Sequence, residues 1–292
     1  SVLTPLSLRS VGRRRARLHQ TGGVRHDLVL SGFAAELPDL VAAAVAAERA
    51  GFDGVWVFDH FAGGMLVRPW SRDPFVSLGA IAASTQRITL GVLVANIANR
   101  HPAQLASAAN SVQSLAPGRF VLGLGAGAAP GSRFAGEADA IGRPVASNDV
   151  RRAQLAETIA CLRAIWDGDA FHGEHYQVAA DAGIVDGAER PPIVVGASGI
   201  DTVRLAAQIA DGVNIRDGAR LAELVAAAGP TDVSVFTAFD LEHPTGGDIE
   251  RLAQLGVAGR TMFASPPFTH DALDAITRIG AAIGDRNAPR LH

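Results

Sequence analysis

The sequence predicts an α/β fold, a (β/α)₈ TIM barrel with insertions at the C-terminal face of its strands. From residue 27 onward, short β-branched runs alternate with longer segments of helical period, which is the pattern of parallel βαβ units, and eight such pairs can be counted. The strand candidates are apolar throughout, as suits strands covered on both faces. The chain has 292 residues, and one barrel of this kind routinely runs to about 250 residues with insertions.

The first strand is placed at Asp27 to Ser31. The helix after it has Pro38 near its first turn, apolar Leu37, Val41, Ala44 and Val45 on one face, and Gly51 as its stop. The second strand is Gly54 to Phe58 and the third Ile88 to Val94. Pro102 then opens a helix that lines the core with Leu105, Ala109, Val112 and Leu115 and closes at Pro117-Gly118. The fourth strand is Phe120 to Gly125, followed by a helix with Asn148 as its cap and Leu155, Ile159, Leu162 and Trp166 as its stripe. Four strands complete the set: Ile193 to Gly196, Gly212 to Ile215, Val233 to Phe239 and Arg260 to Ala264. Extra length falls at 59–72, 126–147 and 168–191. Two of these insertions follow strands, where barrel loops carry function, so they are expected to act as lids over a ligand.

Composition narrows the function classes. All 26 basic residues are Arg, which removes Schiff-base aldolases, pyridoxal enzymes and the phosphate-loop lysine. The one cysteine, Cys161, lies in an apolar helical pattern; it reads as a buried thiol and fits a reducing cytoplasm. Residues 1–26 carry six Arg and no acid. Without interleaved aromatics they read as a disordered extension ahead of a single barrel domain at 27–292, with no nucleic-acid partner expected. No apolar stretch follows those arginines as a secretory signal requires, and no apolar run reaches the roughly 20 residues of a membrane span.

Two titratable residues, Asp59 and His60, end the second strand at its C-terminal mouth. A His there can exchange a proton, and Asp59 can hydrogen-bond a heterocycle or fix the imidazole. Taken alone, the pair reads equally well as a salt-bridged loop histidine. His172-Gly-Glu-His175 lacks the i, i+4 helical spacing of a zinc pair, so no metal is expected. Gly123-x-Gly125-x-Gly127 is an incomplete dinucleotide fingerprint and does not support a Rossmann fold.

Ala50-Gly-Phe-Asp-Gly-Val-Trp-Val-Phe-Asp-His60, Asn99-Arg100-His101-Pro102 and Gly118-Arg-Phe-Val-Leu-Gly-Leu-Gly125 together resemble the luciferase-like monooxygenase and deazaflavin-dependent reductase family. The resemblance runs from about residue 27 to 285. Gly196-Ala197-Ser198-Gly199, between a strand and a helix, is similar to the family's phosphate loop. Small residues there let backbone N–H groups approach an anion at a helix N-terminus, and Ser198 adds a hydroxyl.

The resemblance implies roles for further residues. Asp59 and His60 match the pair beside the flavin or deazaflavin ring. Leu93-Val94, followed by Ala95, matches a non-proline cis peptide whose bulge bends that ring. Gly125 and Gly127 match the glycine-rich end of the fourth strand. Ala128 stands where the sugar-phosphate dehydrogenases of the family place a catalytic Glu, which argues against glucose-6-phosphate dehydrogenase activity, and Trp70 follows the Asp-His pair at a longer spacing than the family's Trp.

The reading that follows is an oxidoreductase moving a hydride between coenzyme F420 and a small organic substrate, with His60 handling the proton and a homodimer as the implied assembly. The alternatives are an FMN-dependent monooxygenase, a non-catalytic flavin-binding barrel, and a non-redox barrel that holds a phosphorylated metabolite through residues 196–199.

Overall fold

The computed structural model describes residues 24–61, 70–238, 248–264 and 273–279. Its elements are β1 (Arg25–Leu30), α1 (Leu37–Ala50), β2 (Gly54–Val57), α2 (Pro74–Ser84), β3 (Thr89–Asn96), α3 (Pro102–Leu115), β4 (Phe120–Gly125), α4 (Ala135–Ala140) and α5 (Asn148–Asp167). A hairpin of β5 (Phe171–His172) and β6 (Gln177–Val178) follows. The chain continues through β7 (Ile193–Ala197), α6 (Ile200–Ile209), β8 (Gly212–Arg216), α7 (Leu221–Ala228), β9 (Asp232–Ala238), α8 (Asp248–Gln254) and β10 (Gly259–Ala264), and residues 273–279 are helical.

Eight strands close into a barrel in the order β1-β2-β3-β4-β7-β8-β9-β10, with β10 returning to β1 and every neighbour parallel. All eight predicted strands are barrel strands; Phe239, the predicted end of one, lies outside the described residues. Most of the segment 1–26 also lies outside them. Its last two residues, Arg25 and His26, are the first of β1 and pair with Gly259 and Arg260.

The helix faces differ from the prediction in instructive ways. The buried stripe of α1 is Leu40, Ala43, Ala44 and Ala47, with Val41 and Val45 at its edge, where the helix packs against β1, β2 and α2. Leu115 is exposed; the turn after α3 instead buries Ala116. Ser147, not Asn148, caps α5 by accepting from Val150 N. Gly51 ends α1 at φ 87°, a left-handed position that costs Gly nothing.

Inward-facing Val29, Trp56, Leu93, Val121 and Val194 form one cluster inside the barrel, while the outward faces pack a larger core against the helices. Trp56 is fully buried, and its Nε1 donates to Asp27 Oδ2 at 2.9 Å. Gly91 faces that indole: a Cβ there would lie 2.2 Å from Trp56 Cε3. The indole fills the middle of the barrel, so open space lies on the C-terminal side.

Candidate active site

Strand β3 breaks register between Val92 and Ala95, and the Leu93–Val94 peptide within that bulge is cis, where the resemblance placed it. The bulge carries Val94 toward β4 and β7, whose residues opposite it lack side chains. A Cβ on Gly125 would lie 2.4 Å from Val94 Cγ2, and one on Gly196 would lie 2.8 Å from Val94 Cγ1. The result is an apolar ledge set in a Cβ-free cradle.

Above the ledge opens a cavity of about 750 Å³ whose lining includes Phe33, Phe58, Leu93, Val94, Phe236 and Phe263. His60, Asp59, Asn96, Gly125, Gly127, Arg133, Phe134, Glu137 and Arg216 also line it, with Ser31 and Ala128. A second space of about 220 Å³ shares Val94 and Arg216 with it and reaches Gly196, Ala197 and Ser198. Gly199 caps α6 with no side-chain hydrogen bond to the helix, leaving the first N–H groups of α6 without a side-chain acceptor beside an exposed Ser198. Ala95 lines neither space. It is fully buried on the outer face of β3, and its neighbour Asn96 takes the place on the cavity wall that was expected of it.

His60 is held on three sides. Its ring stacks between Phe33 and Phe134, each with centroids 5.1 Å away, and its Nδ1 lies 2.9 Å from Glu137 Oε2. The other carboxylate oxygen of Glu137 accepts from Phe61 N at 2.9 Å. A carboxylate only accepts, so Nδ1 carries the proton and donates, and the lone pair of the neutral ring sits on Nε2. Glu137 is 4% exposed and comes from α4, a six-residue helix inside the insertion at 126–147. That insertion does cover the cavity, as expected of it. Residues 62–69 of the insertion at 59–72 lie outside the described residues, and the one at 168–191 contributes the β5–β6 hairpin.

Asp59 does not fix the imidazole. Its Oδ2 accepts from Asn96 N at 2.8 Å and from Arg100 Nη1 at 2.5 Å. Arg100 also reaches Asp73 at 2.8 Å, and Asp73 is the N-cap of α2. Burial pushes the Asp59 carboxyl up from its ordinary range, and Arg100 opposes that push. The carboxylate thus ties the ends of β2 and β3 to the start of α2, and it borders the cavity through the same short segment that presents His60.

Sequence reasoning missed Glu137, Phe33 and Phe134 altogether, and it quoted Arg100 without giving it a role. The available signal for Glu137 was slight: an acid in the insertion after the glycine-rich end of β4, nine residues beyond Ala128. Among the described residues, no group of three or more His, Cys, Asp or Glu is placed to hold a metal ion, and no helix is long and apolar enough to cross a membrane.

Fold and site together define the class: a closed (β/α)₈ barrel whose strand C-termini surround an aromatic cavity, with a bulged ledge below and a paired His and Glu at the rim. The family model for luciferase-like monooxygenases matches residues 10–230, and the chain belongs to that family. It is 40% identical over 184 residues, 60% of this chain and 51% of the relative, to the F420-dependent glucose-6-phosphate dehydrogenase of Beutenbergia cavernae. It is 36% identical over 183 residues, 59% of this chain and 47% of the relative, to the F420-dependent hydroxymycolic acid dehydrogenase of Mycobacterium tuberculosis. The chain spans about half the length of these curated relatives.

Among solved structures, the fold is similar to an F420-dependent secondary alcohol dehydrogenase in complex with an F420-acetone adduct. The TM-score is 0.73 at 17% identity, covering 89% of this chain and 99% of that one. It is likewise similar to the F420-dependent tetrahydromethanopterin reductase of Methanopyrus kandleri, with a TM-score of 0.69 at 18% identity over 88% of this chain and 97% of the other.

Proposed function

We propose that this protein is an oxidoreductase that uses coenzyme F420 to move a hydride to or from a small organic substrate. The observation that carries the reading is the juxtaposition of the Val94 ledge, stripped of opposing side chains by Gly125 and Gly196, with a His60 whose Nδ1 is engaged by Glu137. A flat heterocycle fits such a ledge, and the neighbouring space leads to the uncapped start of α6, where backbone N–H groups and Ser198 suit a phosphate. The relatives named for F420 support the choice of cofactor.

In this reading Val94, Gly125, Gly127 and Gly196 hold the ring, while Ala197, Ser198 and Gly199 hold the phosphate. When bound, F420 supplies the carbon that accepts or gives the hydride. The protein's own contribution is the proton: His60 Nε2 takes it from a substrate hydroxyl in one direction and returns it in the other, a role worth about 10²- to 10⁴-fold in rate. Glu137 fixes the tautomer that makes Nε2 the acceptor. Phe33 and Phe134 fix the ring plane, and the Phe-lined wall keeps water from the reacting atoms.

The family model's own name supports a second reading, an FMN-dependent monooxygenase on the same ledge. A non-catalytic flavin-binding barrel is the third. The same proposal includes a homodimer, supported by the exposed Val76 on α2 and Leu115 on α3, and a cytoplasmic setting, supported by the buried free thiol of Cys161. It also keeps a basic extension ahead of one barrel domain.

The test is titration of the purified protein with F420 and with FMN, followed by absorbance and fluorescence. F420 is expected to bind tightly, and Ser198→Asp to weaken it at least tenfold by placing a like charge at the phosphate. Preference for FMN would replace the cofactor assignment, and binding of neither would overturn the site. Loss of turnover in His60→Ala separates an enzyme from a passive barrel.

A further inference from the structure

Behind α4 lies a separate space of about 360 Å³, walled by the loop after β3, the glycine-rich end of β4, the segment 143–146, the start of α5 and Tyr176. It shares Asn96, Gly127, Ala128, Phe134 and Glu137 with the main cavity, so Glu137 and Phe134 form a partition between the two.

Three arginines line this annex, and two are already engaged. Arg100 spends its guanidinium on Asp59 and Asp73. Arg151 donates to the carbonyls of Ala126 and Gly127 and to Asn148 Oδ1, which fixes the loop that forms one wall. Arg143 is different: it is exposed, and its guanidinium has no hydrogen-bond or ion-pair partner among the described residues.

Three further residues of the same lining carry donors: Asn99, His101 and Tyr176. Asn99 Nδ2 is buried without a hydrogen-bond partner among the described residues. His101 accepts from Ala103 N through Nδ1 at 3.1 Å, so its neutral ring carries the proton on Nε2 as a donor. The Tyr176 ring packs edge-on against His101, with centroids 5.3 Å apart. The one acid in the lining, Glu137, already accepts from His60 and Phe61.

We propose that this annex is a binding site for an oxyanion, a phosphate or a carboxylate, carried by a ligand that extends past the Glu137–Phe134 partition from the main cavity. The physical reason is a surplus of donors over acceptors. A buried amide N–H without a partner costs about 1–3 kcal/mol, and the Arg143 fork, which lines the same space, presents parallel donors suited to a planar or tetrahedral anion. Arg151, whose partners are all uncharged, adds the field of its guanidinium, whereas the charge of Arg100 is offset by Asp59 and Asp73. The anion belongs either to the tail of the cofactor or to the substrate. The proposal rests on the functional reading above only for what occupies the main cavity.

The test uses Arg143→Glu, a change at an exposed residue of the lining, and Asn99→Leu. Inorganic phosphate is titrated into the wild type and both variants by calorimetry. The wild type is expected to bind it, with at least a tenfold loss in Arg143→Glu and a smaller loss in Asn99→Leu. Absence of phosphate binding in the wild type, or equal binding in Arg143→Glu, overturns the proposal. In parallel, F420 and its tail-less riboflavin-like core are titrated. If Arg143→Glu weakens F420 but not the core, the anion is the cofactor's; if it weakens neither while phosphate still responds, the anion is the substrate's. A wild type that binds phosphate at Arg143 but not F420 refutes the cofactor reading and leaves the annex standing.

Discussion

Glu137→Gln isolates what the carboxylate does for His60. In the wild type, one oxygen of Glu137 accepts from His60 Nδ1 and the other from Phe61 N, both at 2.9 Å. A glutamine has one accepting oxygen and one donating NH₂. If the oxygen keeps Phe61 N–H, the NH₂ faces Nδ1, which must then become an acceptor and pass its proton to Nε2. If the oxygen instead keeps Nδ1–H, the NH₂ meets Phe61 N–H, donor against donor. Retaining the productive tautomer therefore leaves a donor unsatisfied in a site where Glu137 is only 4% exposed. That costs about 1–3 kcal/mol, or roughly 5- to 150-fold in the working tautomer.

The assay is ring ¹⁵N spectroscopy of His60, assigned by the signal that disappears in His60→Gln. The wild type is expected to show protonated Nδ1 and the Glu137→Gln variant protonated Nε2, with turnover falling by the same factor and the unfolding temperature changing by only a few degrees. An unchanged tautomer in the variant would refute the reasoning, whatever happened to the rate.

Three further outcomes follow from the same structure. His26 is buried and, through that burial and then through Arg260, titrates at about 4 instead of 6.5. The unfolded chain therefore binds the proton first, and stability is complete above pH 6.5 and lost as pH falls toward 4, by about 3 kcal/mol. His26→Phe is expected to flatten that part of a urea-unfolding pH series, and parallel slopes in the two proteins would contradict it. Gly125→Ala drives a methyl against Val94 at 2.4 Å, which should cost about 1–3 kcal/mol and weaken F420 at least tenfold. Affinity matching the wild type would show that Val94 is not the ledge. Asp59→Asn removes the buried charge facing Arg100, and because Asp73 still pairs with the guanidinium the cost sits at the lower end of the range for broken buried pairs, about 3 kcal/mol by chemical denaturation; a loss below 1 kcal/mol would show that Asp73 alone suffices.

Much of this molecule was legible in its sequence because barrel strands and their helices are local patterns. A strand such as Phe120–Gly125 is apolar because both its faces are covered, and that is written in consecutive residues. The Asp59-His60 pair was legible for the same reason, since it follows directly on a strand whose end must face the mouth. Helix faces were read less well. The α1 stripe shifted to Leu40, Ala43 and Ala47 because which arc of a helix is buried depends on the elements it packs against, here β1, β2 and α2, and those are set by barrel closure. What tertiary structure alone decided is the electrostatic partner of each site residue. Glu137 lies 77 residues from His60 and Arg100 lies 41 from Asp59. No periodicity links residues so far apart; only the closure of eight strands brings their loops to one rim, where a carboxylate leaves water to face an imidazole.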